Sequence, residues 1–153
     1  MEIRELTNDL ERANIAKMIL EGLPEWFGIA EAREGYVRDS AGKLFFAAFR
    51  EQSPVGFLYL KETGKDTAEL AVMGVLEQYH RSGIGKALFA QAKAVARQRG
   101  YAFLQVKTVR MGEYACYDAT KRFYLALGFK EFEVFPFLWD EKNPCQIYVM
   151  SLE

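Results

Sequence analysis

The sequence predicts an α/β domain, more narrowly an α+β arrangement in which helices cover both faces of one mixed sheet. Three observations support this prediction. Short β-branched and aromatic runs alternate along the chain with segments of helical periodicity. Two of the helical segments end at a glycine, Gly100 and Gly128, as helices that close on a left-handed residue do. A glycine-containing turn, Gly83-Ile84-Gly85, joins a strand-like run to the longer of these helices.

The first half of the chain is predicted to form one strand, two helices and three strands. Residues 2–6 alternate in polarity as a strand does. Asn8 followed by Glu11 resembles a capping box at the start of a helix, and Gly22-Leu23-Pro24 ends that helix. A second helix is expected over residues 31–38. Strands are expected over residues 43–50, 55–61 and 68–76, separated by turns at residues 52–54 and 63–66.

The second half is predicted to contain two helices and three strands. A helix over residues 83–99 places Ile84, Leu88 and Ala92 on one face. A strand follows over residues 103–109. Asp118 is expected to N-cap a helix that ends at Leu127. Residues 130–135 and 146–152 are expected to form an antiparallel pair, which completes the order β-α-α-β-β-β-α-β-α-β-β in a single domain over residues 1–153.

Composition limits the possible functions. The chain has 153 residues, half of them apolar, and a net charge of -1, so we expect a globular domain with no general attraction to nucleic acid or to a membrane. The cysteines, Cys116 and Cys145, and the single histidine, His80, lack metal-site spacing, so no metal is expected. The N-terminus shows no apolar signal core, and the expected location is the cytoplasm.

The glycine-containing turn is the main candidate binding site. Residues 79–86 read Tyr-His-Arg-Ser-Gly-Ile-Gly-Lys. Unpaired N–H groups at the start of the following helix favour a phosphate or pyrophosphate. A Walker loop is excluded because Ala87 stands where Ser or Thr would hold magnesium. A dinucleotide fingerprint is excluded because Leu88 stands where the third glycine would lie.

The remaining pattern resembles the acyl-CoA loop of the GNAT acetyltransferase superfamily, Arg/Gln-x-x-Gly-x-Gly/Ala between a strand and a helix. Residues 123–129, Phe-Tyr-Leu-Ala-Leu-Gly-Phe, resemble the second signature of the same superfamily. The predicted order of elements also matches that fold. The chain therefore resembles a small-molecule-type member, and the resemblance implies the GNAT acyl-CoA N-acyltransferase fold.

The resemblance implies an N-acetyltransferase. The acetyl group would pass from acetyl-CoA, the co-substrate, to a primary amine by direct attack in a ternary complex. The acceptor would be a small-molecule or peptide amine, and a homodimer is left open. The alternative is a CoA-binding sensor or a protein-interaction module on the same fold, without turnover.

The resemblance also assigns cofactor contacts. The backbone of Met73, Gly74 and Val75 would accept the pantetheine arm where their strand splays from its neighbour, and Gly74 would let the arm approach because it has no Cβ. His80 occupies the position of the usual Arg or Gln. The remaining cofactor-binding residues implied are Arg81, Ser82, Gly83, Ile84, Gly85, Lys86 and Tyr117, the last where the family often has asparagine.

Two side chains are candidates for catalysis. Tyr124 matches the tyrosine of the family that faces the CoA sulfur, so we expect it to be the general acid, although a core aromatic residue would fit the same position. Glu69 lies in an apolar strand where several members carry a general base that acts through water. A glutamate that points to solvent is equally compatible with the sequence. The oxyanion donor would be the N–H of Val75 or Gly74.

Overall fold

In the part of the chain that the structure describes, seven strands form one mixed sheet with two helices on each face. The computed structural model describes the backbone of residues 1–110 and 115–153, and the side chains of residues 1–110 and 118–153. The elements are β1 (Glu2–Leu6), α1 (Asp9–Glu21), α2 (Ala30–Asp39), β2 (Leu44–Arg50), β3 (Ser53–Gly64), β4 (Thr67–Val75), α3 (Ile84–Gln98), β5 (Phe103–Val109), α4 (Ala115–Leu127), β6 (Lys130–Asp140) and β7 (Asn143–Ser151). A 3₁₀ turn, Glu77–Tyr79, joins β4 to α3. The predicted order and fold class are confirmed.

The strands lie in the order β1-β2-β3-β4-β5-β7-β6. All neighbours are antiparallel except β4 and β5, which run parallel. A parallel pair needs a crossover, and α3 supplies it. The sheet is therefore mixed because of this one pair in its middle.

Capping and turn signals account for most of the element boundaries. The Asn8 side chain accepts a hydrogen bond from the Glu11 N–H at 2.9 Å, so the predicted helix start is confirmed. The turn between β2 and β3 was predicted one residue too late. Glu51 and Gln52 both have positive φ, as a two-residue primed turn requires, and strand pairing resumes at Ser53.

The prediction that Asp118 caps α4 is wrong. The helix already begins at Ala115, so Asp118 lies within its first turn. A carboxylate there is favoured by the helix dipole. Asp118 Oδ1 also lies 3.0 Å from the Nζ of Lys121, one turn further along the helix.

Each face of the sheet has its own apolar core. The face covered by α1 buries residues such as Ile19, Phe45 and Val72. The face covered by α3 and α4 buries Leu70 and Leu88 among others. We call these the α1 face and the α3–α4 face.

A bulge in β4 reverses the alternation of its side chains between the two faces of the sheet. Leu60 pairs with Leu70, but Tyr59 pairs with Val72, so Ala71 is an extra residue on β4. Leu70 is buried on the α3–α4 face, and Val72 is buried on the α1 face. The bulge bends β4 at the point where its pairing with β5 stops.

Candidate active site

A gap opens between β4 and β5. Their parallel pairing covers three positions and ends with Glu69 opposite Gln105. Both strands are fully described, and beyond this pair they continue without a shared register as far as Val75 and Val109. We refer to this opening as the gap. It leaves one edge of β4 without a strand partner inside the sheet.

The backbone of β4 presents hydrogen-bonding groups to the gap. The Leu76 N–H donates to the Val55 carbonyl of β3 at 2.9 Å. Because the C=O and N–H of one trans peptide unit point in opposite directions, the Val75 carbonyl points away from β3. The Val75 N–H shares that direction in extended backbone, and so do the backbone groups of Met73, two residues earlier. An extended ligand with amide groups could pair there.

The glycine-containing turn lies directly after this edge. Arg81 (φ 63°) and Gly83 (φ 86°) adopt left-handed backbone, and Gly83 is the N-cap residue of α3. The Ser82 hydroxyl hydrogen-bonds the Tyr79 carbonyl. The first helical bond runs from the Ala87 N–H to the Gly83 carbonyl, so the preceding N–H groups have no partner inside the helix. The turn can therefore hold an anion through its backbone.

The side chains of the turn divide between core and solvent. Ile84 is buried in the core of the α3–α4 face, so only its backbone is available to a ligand. Arg81 and Lys86 are exposed beside the free N–H groups. Their charges can add to the attraction of the helix dipole for phosphate.

Two glycines act through close packing. A Cβ on Gly85 would lie 3.1 Å from the tips of both Met73 and Phe123, so this glycine lets the turn, β4 and α4 meet. A Cβ on Gly74 would lie 3.0 Å from Leu23 and 3.2 Å from Ile19. Gly74 therefore makes room for α1 and the chain after it. The bulge at Ala71 turns this position to the α1 face, and the expectation that Gly74 gives room to the pantetheine arm stays a prediction.

Tyr124 lies in the core of the α3–α4 face. Its ring centroid is 5.8 Å from that of Phe123 and 6.0 Å from that of Phe129. Burial raises the pKa of Tyr124 to about 12, because the charged phenolate is poorly solvated there. The phenol is therefore neutral, as a proton donor must be. The side chain of Tyr117 lies outside the described residues.

Glu69 is held in an ion pair. Its side chain is 12% exposed, and the Nζ of Lys107 lies 3.1 Å from its Oε1. The alternative that Glu69 points to solvent is wrong. Strand alternation places both side chains on the α1 face, since Leu70 and Val106 are buried on the other face.

Lys107 was missed by sequence reasoning. The sequence feature that identified Glu69 also applies to Lys107, since both are charged residues inside an apolar strand. Cys145 is fully buried nearby on β7, and burial raises the pKa of its thiol. The ion pair lies where the β4–β5 pairing ends, and Cys145 pairs with Val109 at the other end of β5.

His80 bridges two parts of the site. Its Nε2 lies 2.6 Å from the Val75 carbonyl oxygen. Its ring also meets Trp26 edge-on, with centroids 5.4 Å apart. Trp26 belongs to the segment between α1 and α2, where Phe27 contacts Tyr36 in a second edge-on pair. His80 therefore links the end of β4 to this aromatic segment.

The described part of the chain shows neither a grouped metal-ligand set nor a membrane-spanning helix. In that part, no three His, Cys, Asp or Glu side chains are grouped so as to hold a metal ion. Across the same residues, the helices are too short or too polar to cross a bilayer.

The chain was then compared with known proteins. Residues 5–129 match the sequence profile of the Acetyltransferase (GNAT) family. A search of curated proteins gave no match. The chain therefore belongs to the GNAT acetyltransferase family, and as an enzyme it is an acyltransferase.

Solved structures share the fold at low sequence identity. A protein from Desulfovibrio desulfuricans described as a GNAT-family acetyltransferase superposes with a TM-score of 0.81 at 21% identity, covering 99% of each chain. An aminoglycoside 6'-N-acetyltransferase complexed with coenzyme A gives 0.77 at 18% identity, covering 100% of this chain and 98% of the other. The ribosomal-protein-S18-alanine N-acetyltransferase from Escherichia coli gives 0.74 at 19% identity, covering 99% and 94%.

Proposed function

We propose that the protein transfers an acetyl group from acetyl-CoA to a primary amine, by direct attack in a ternary complex. The gap between β4 and β5, beside the free N–H groups at the start of α3, is the observation that carries this proposal. A CoA molecule has an extended amide-containing arm and a pyrophosphate, and the two neighbouring features suit those two parts. A coenzyme A complex of a protein with the same fold supports the choice of cofactor.

The cofactor is held mainly by backbone. The arm pairs with the N–H and C=O groups of Met73, while the Gly74 backbone stays paired with β3. The pyrophosphate takes the N–H groups of residues 81–86, with charge from Arg81 and Lys86. Tyr117 is proposed as a further contact on α4.

The chemistry needs an acid, a base and an oxyanion donor. The neutral amine attacks the thioester carbonyl, a C–N bond forms, and the C–S bond breaks. The Val75 N–H stabilises the oxyanion. Tyr124, neutral because burial raises its pKa to about 12, donates its proton to the departing thiolate. Glu69 takes the proton of the amine through water, using the carboxylate oxygen that Lys107 does not occupy.

The acceptor is proposed to approach on the α1 face. Trp26, Phe27 and Tyr36 supply aromatic surface there, which suits a partly apolar amine. The two similar N-acetyltransferases are named for an aminoglycoside and for a ribosomal protein. The acceptor is therefore proposed only as a small-molecule or peptide amine.

A homodimer and a cytoplasmic location are also proposals. The outer strand β6 exposes apolar side chains of Phe132, Phe137 and Leu138, which supports self-association. Sedimentation of the pure protein at several concentrations tests the dimer.

A CoA-binding protein without turnover is the second candidate. The ion pair between Glu69 and Lys107 favours it, because one carboxylate oxygen is not free to accept a proton. Both candidates require acetyl-CoA binding, so they differ only in turnover.

An amine panel separates these functions. Free-thiol release from acetyl-CoA is followed with amino acids, polyamines, aminoglycosides and short peptides. Amine-dependent release by wild type that is lost in Tyr124→Phe supports the transferase. The matched control is Tyr101→Phe, because Tyr101 lies beyond the far end of α3 and its hydroxyl bonds Glu62 at 2.8 Å. Binding of acetyl-CoA with no release for any amine would favour the second candidate.

A further inference from the structure

His80 holds one end of the peptide unit that joins Val75 to Leu76. The N–H of this unit donates to Val55 of β3 at 2.9 Å. Its C=O accepts from His80 Nε2 at 2.6 Å. A carbonyl oxygen can only accept, so Nε2 carries the proton. The orientation of this peptide plane is therefore fixed at both ends.

This plane adjoins the one that carries the Val75 N–H, so it restrains the Val75 backbone from its C-terminal side. The N–H belongs to the preceding peptide unit, whose carbonyl, on Gly74, lies in the β3 pairing. The Val75 residue thus lies between two planes that are held by β3 and by His80. An oxyanion donor is effective only if it is already aimed before reaction. Loss of the His80 bond would leave the second plane held only by the Leu76 N–H bond to Val55, so the plane could tilt about that bond.

The same imidazole contacts the acceptor side. Its edge-on contact with Trp26 places one ring between the end of β4 and the segment after α1. His80 also directly follows the 3₁₀ turn Glu77–Tyr79. One side chain therefore touches the parts of the site proposed for the acyl group and for the acceptor.

We infer that His80 is a positioning residue for acyl transfer, which aims the Val75 N–H by clamping the Val75 carbonyl and seats Trp26 on the acceptor side. This inference rests on the proposed transferase function. It departs from the expected role at this position, because the His80 side chain is engaged with β4 rather than with the phosphate turn.

Three substitutions isolate the hydrogen bond. In His80→Gln the amide nitrogen lies the same number of bonds from Cβ as Nε2 does, so the donor is kept. His80→Asn is one bond too short to reach. His80→Phe keeps a ring against Trp26 but has no donor. Gln78→Ala, at an exposed position in the adjacent 3₁₀ turn, is the control.

The expected result is a split between kcat and KM. His80→Phe and His80→Asn should lower kcat about ten-fold, as the loss of one aimed hydrogen bond does, with the KM for acetyl-CoA within about two-fold of wild type. His80→Gln should restore most of kcat. All variants should melt close to wild type, because His80 is exposed.

Two outcomes would overturn the inference while leaving the transferase intact. One is an unchanged kcat in His80→Phe. The other is a raised KM for acetyl-CoA at normal kcat, which would assign His80 to phosphate binding. Absence of amine-dependent turnover by wild type would instead overturn the proposed function, and the inference with it.

Discussion

Replacing Gly83 with alanine separates the two reasons for a glycine at the start of α3. Gly83 has φ 86°, and a Cβ built there meets nothing within 4 Å. Gly100, just beyond the other end of α3, has φ 89° and equally open surroundings. Alanine in left-handed backbone costs about 1–2 kcal/mol. Both variants should therefore lose similar stability, about 2–8 °C in Tm for a domain of this size.

Binding should distinguish the two variants. The added methyl group of G83A projects from the open side of the turn, beside the free N–H groups proposed to hold the pyrophosphate. Losing one charge-assisted hydrogen bond costs about 1.5–3 kcal/mol, so the Kd for acetyl-CoA should rise about 10- to 100-fold. The methyl group of G100A lies at the far end of a 15-residue helix, about 22 Å away. Its Kd should stay within about two-fold of wild type.

Calorimetric titration with acetyl-CoA and thermal melts measure the two quantities. The reasoning fails if G83A binds acetyl-CoA as tightly as wild type while its Tm falls with that of G100A. Gly83 would then serve only the start of the helix. Equal weakening in both variants would also refute it, because the loss would come from α3 as a whole.

Three further predictions follow from the ionisable residues. Tyr124→Phe should lower kcat about 10²–10⁴-fold at nearly unchanged Tm. Because burial raises the pKa of Tyr124 to about 12, the contribution of its neutral phenol to stability should be complete below pH 10. That contribution should decline in alkaline melts as the pH rises through 12. Glu69→Gln should lower kcat at least ten-fold in steady-state kinetics. Lys107→Met should chiefly lower Tm, because it leaves Glu69 unpaired and mostly buried. Equal kcat in wild type and Glu69→Gln would rule out Glu69 as the general base. Asp118→Ala should lower the free energy of unfolding, measured in urea, by about 3–5 kcal/mol, because it leaves the fully buried ammonium of Lys121 without this carboxylate. Lys121→Met should lower it much less. Equal losses in the two variants would contradict this explanation.

Periodic elements were predictable because their signals are local. The strand over Phe103–Val109 was predicted with its observed bounds, and Gly100 (φ 89°) and Gly128 (φ 108°) mark helix ends as expected. Asp118 misled because its residue type suits both an N-cap and a first helical turn. Only the conformation of the preceding three residues separates these two roles.

The bulge could not be predicted, and the details of the site follow from it. Residues 70–76 are apolar apart from Gly74, so alternation cannot show where Ala71 interrupts the pairing. Without the bulge, the direction of the missing Gly74 Cβ is assigned to the wrong face. The partner of Glu69 could not be predicted for a different reason. Lys107 lies 38 positions later in the sequence and contacts Glu69 across the parallel pair of β4 and β5, and no local sequence pattern indicates that pairing.

The position of the bulge bears on how two substrates can meet in this fold. Before the bulge, Glu69 lies on the α1 face with Lys107, and the buried Tyr124 lies on the opposite face. The gap begins beside the bulge, in the sheet that separates these two faces. A proposed base and a proposed acid on opposite faces need not compete for space, since the amine loses its proton on one side and the thiolate gains one on the other. That separation supports the proposed direct attack in a ternary complex. The backbone of Val75, held by β3 and His80, lies at the gap where the two substrates would meet.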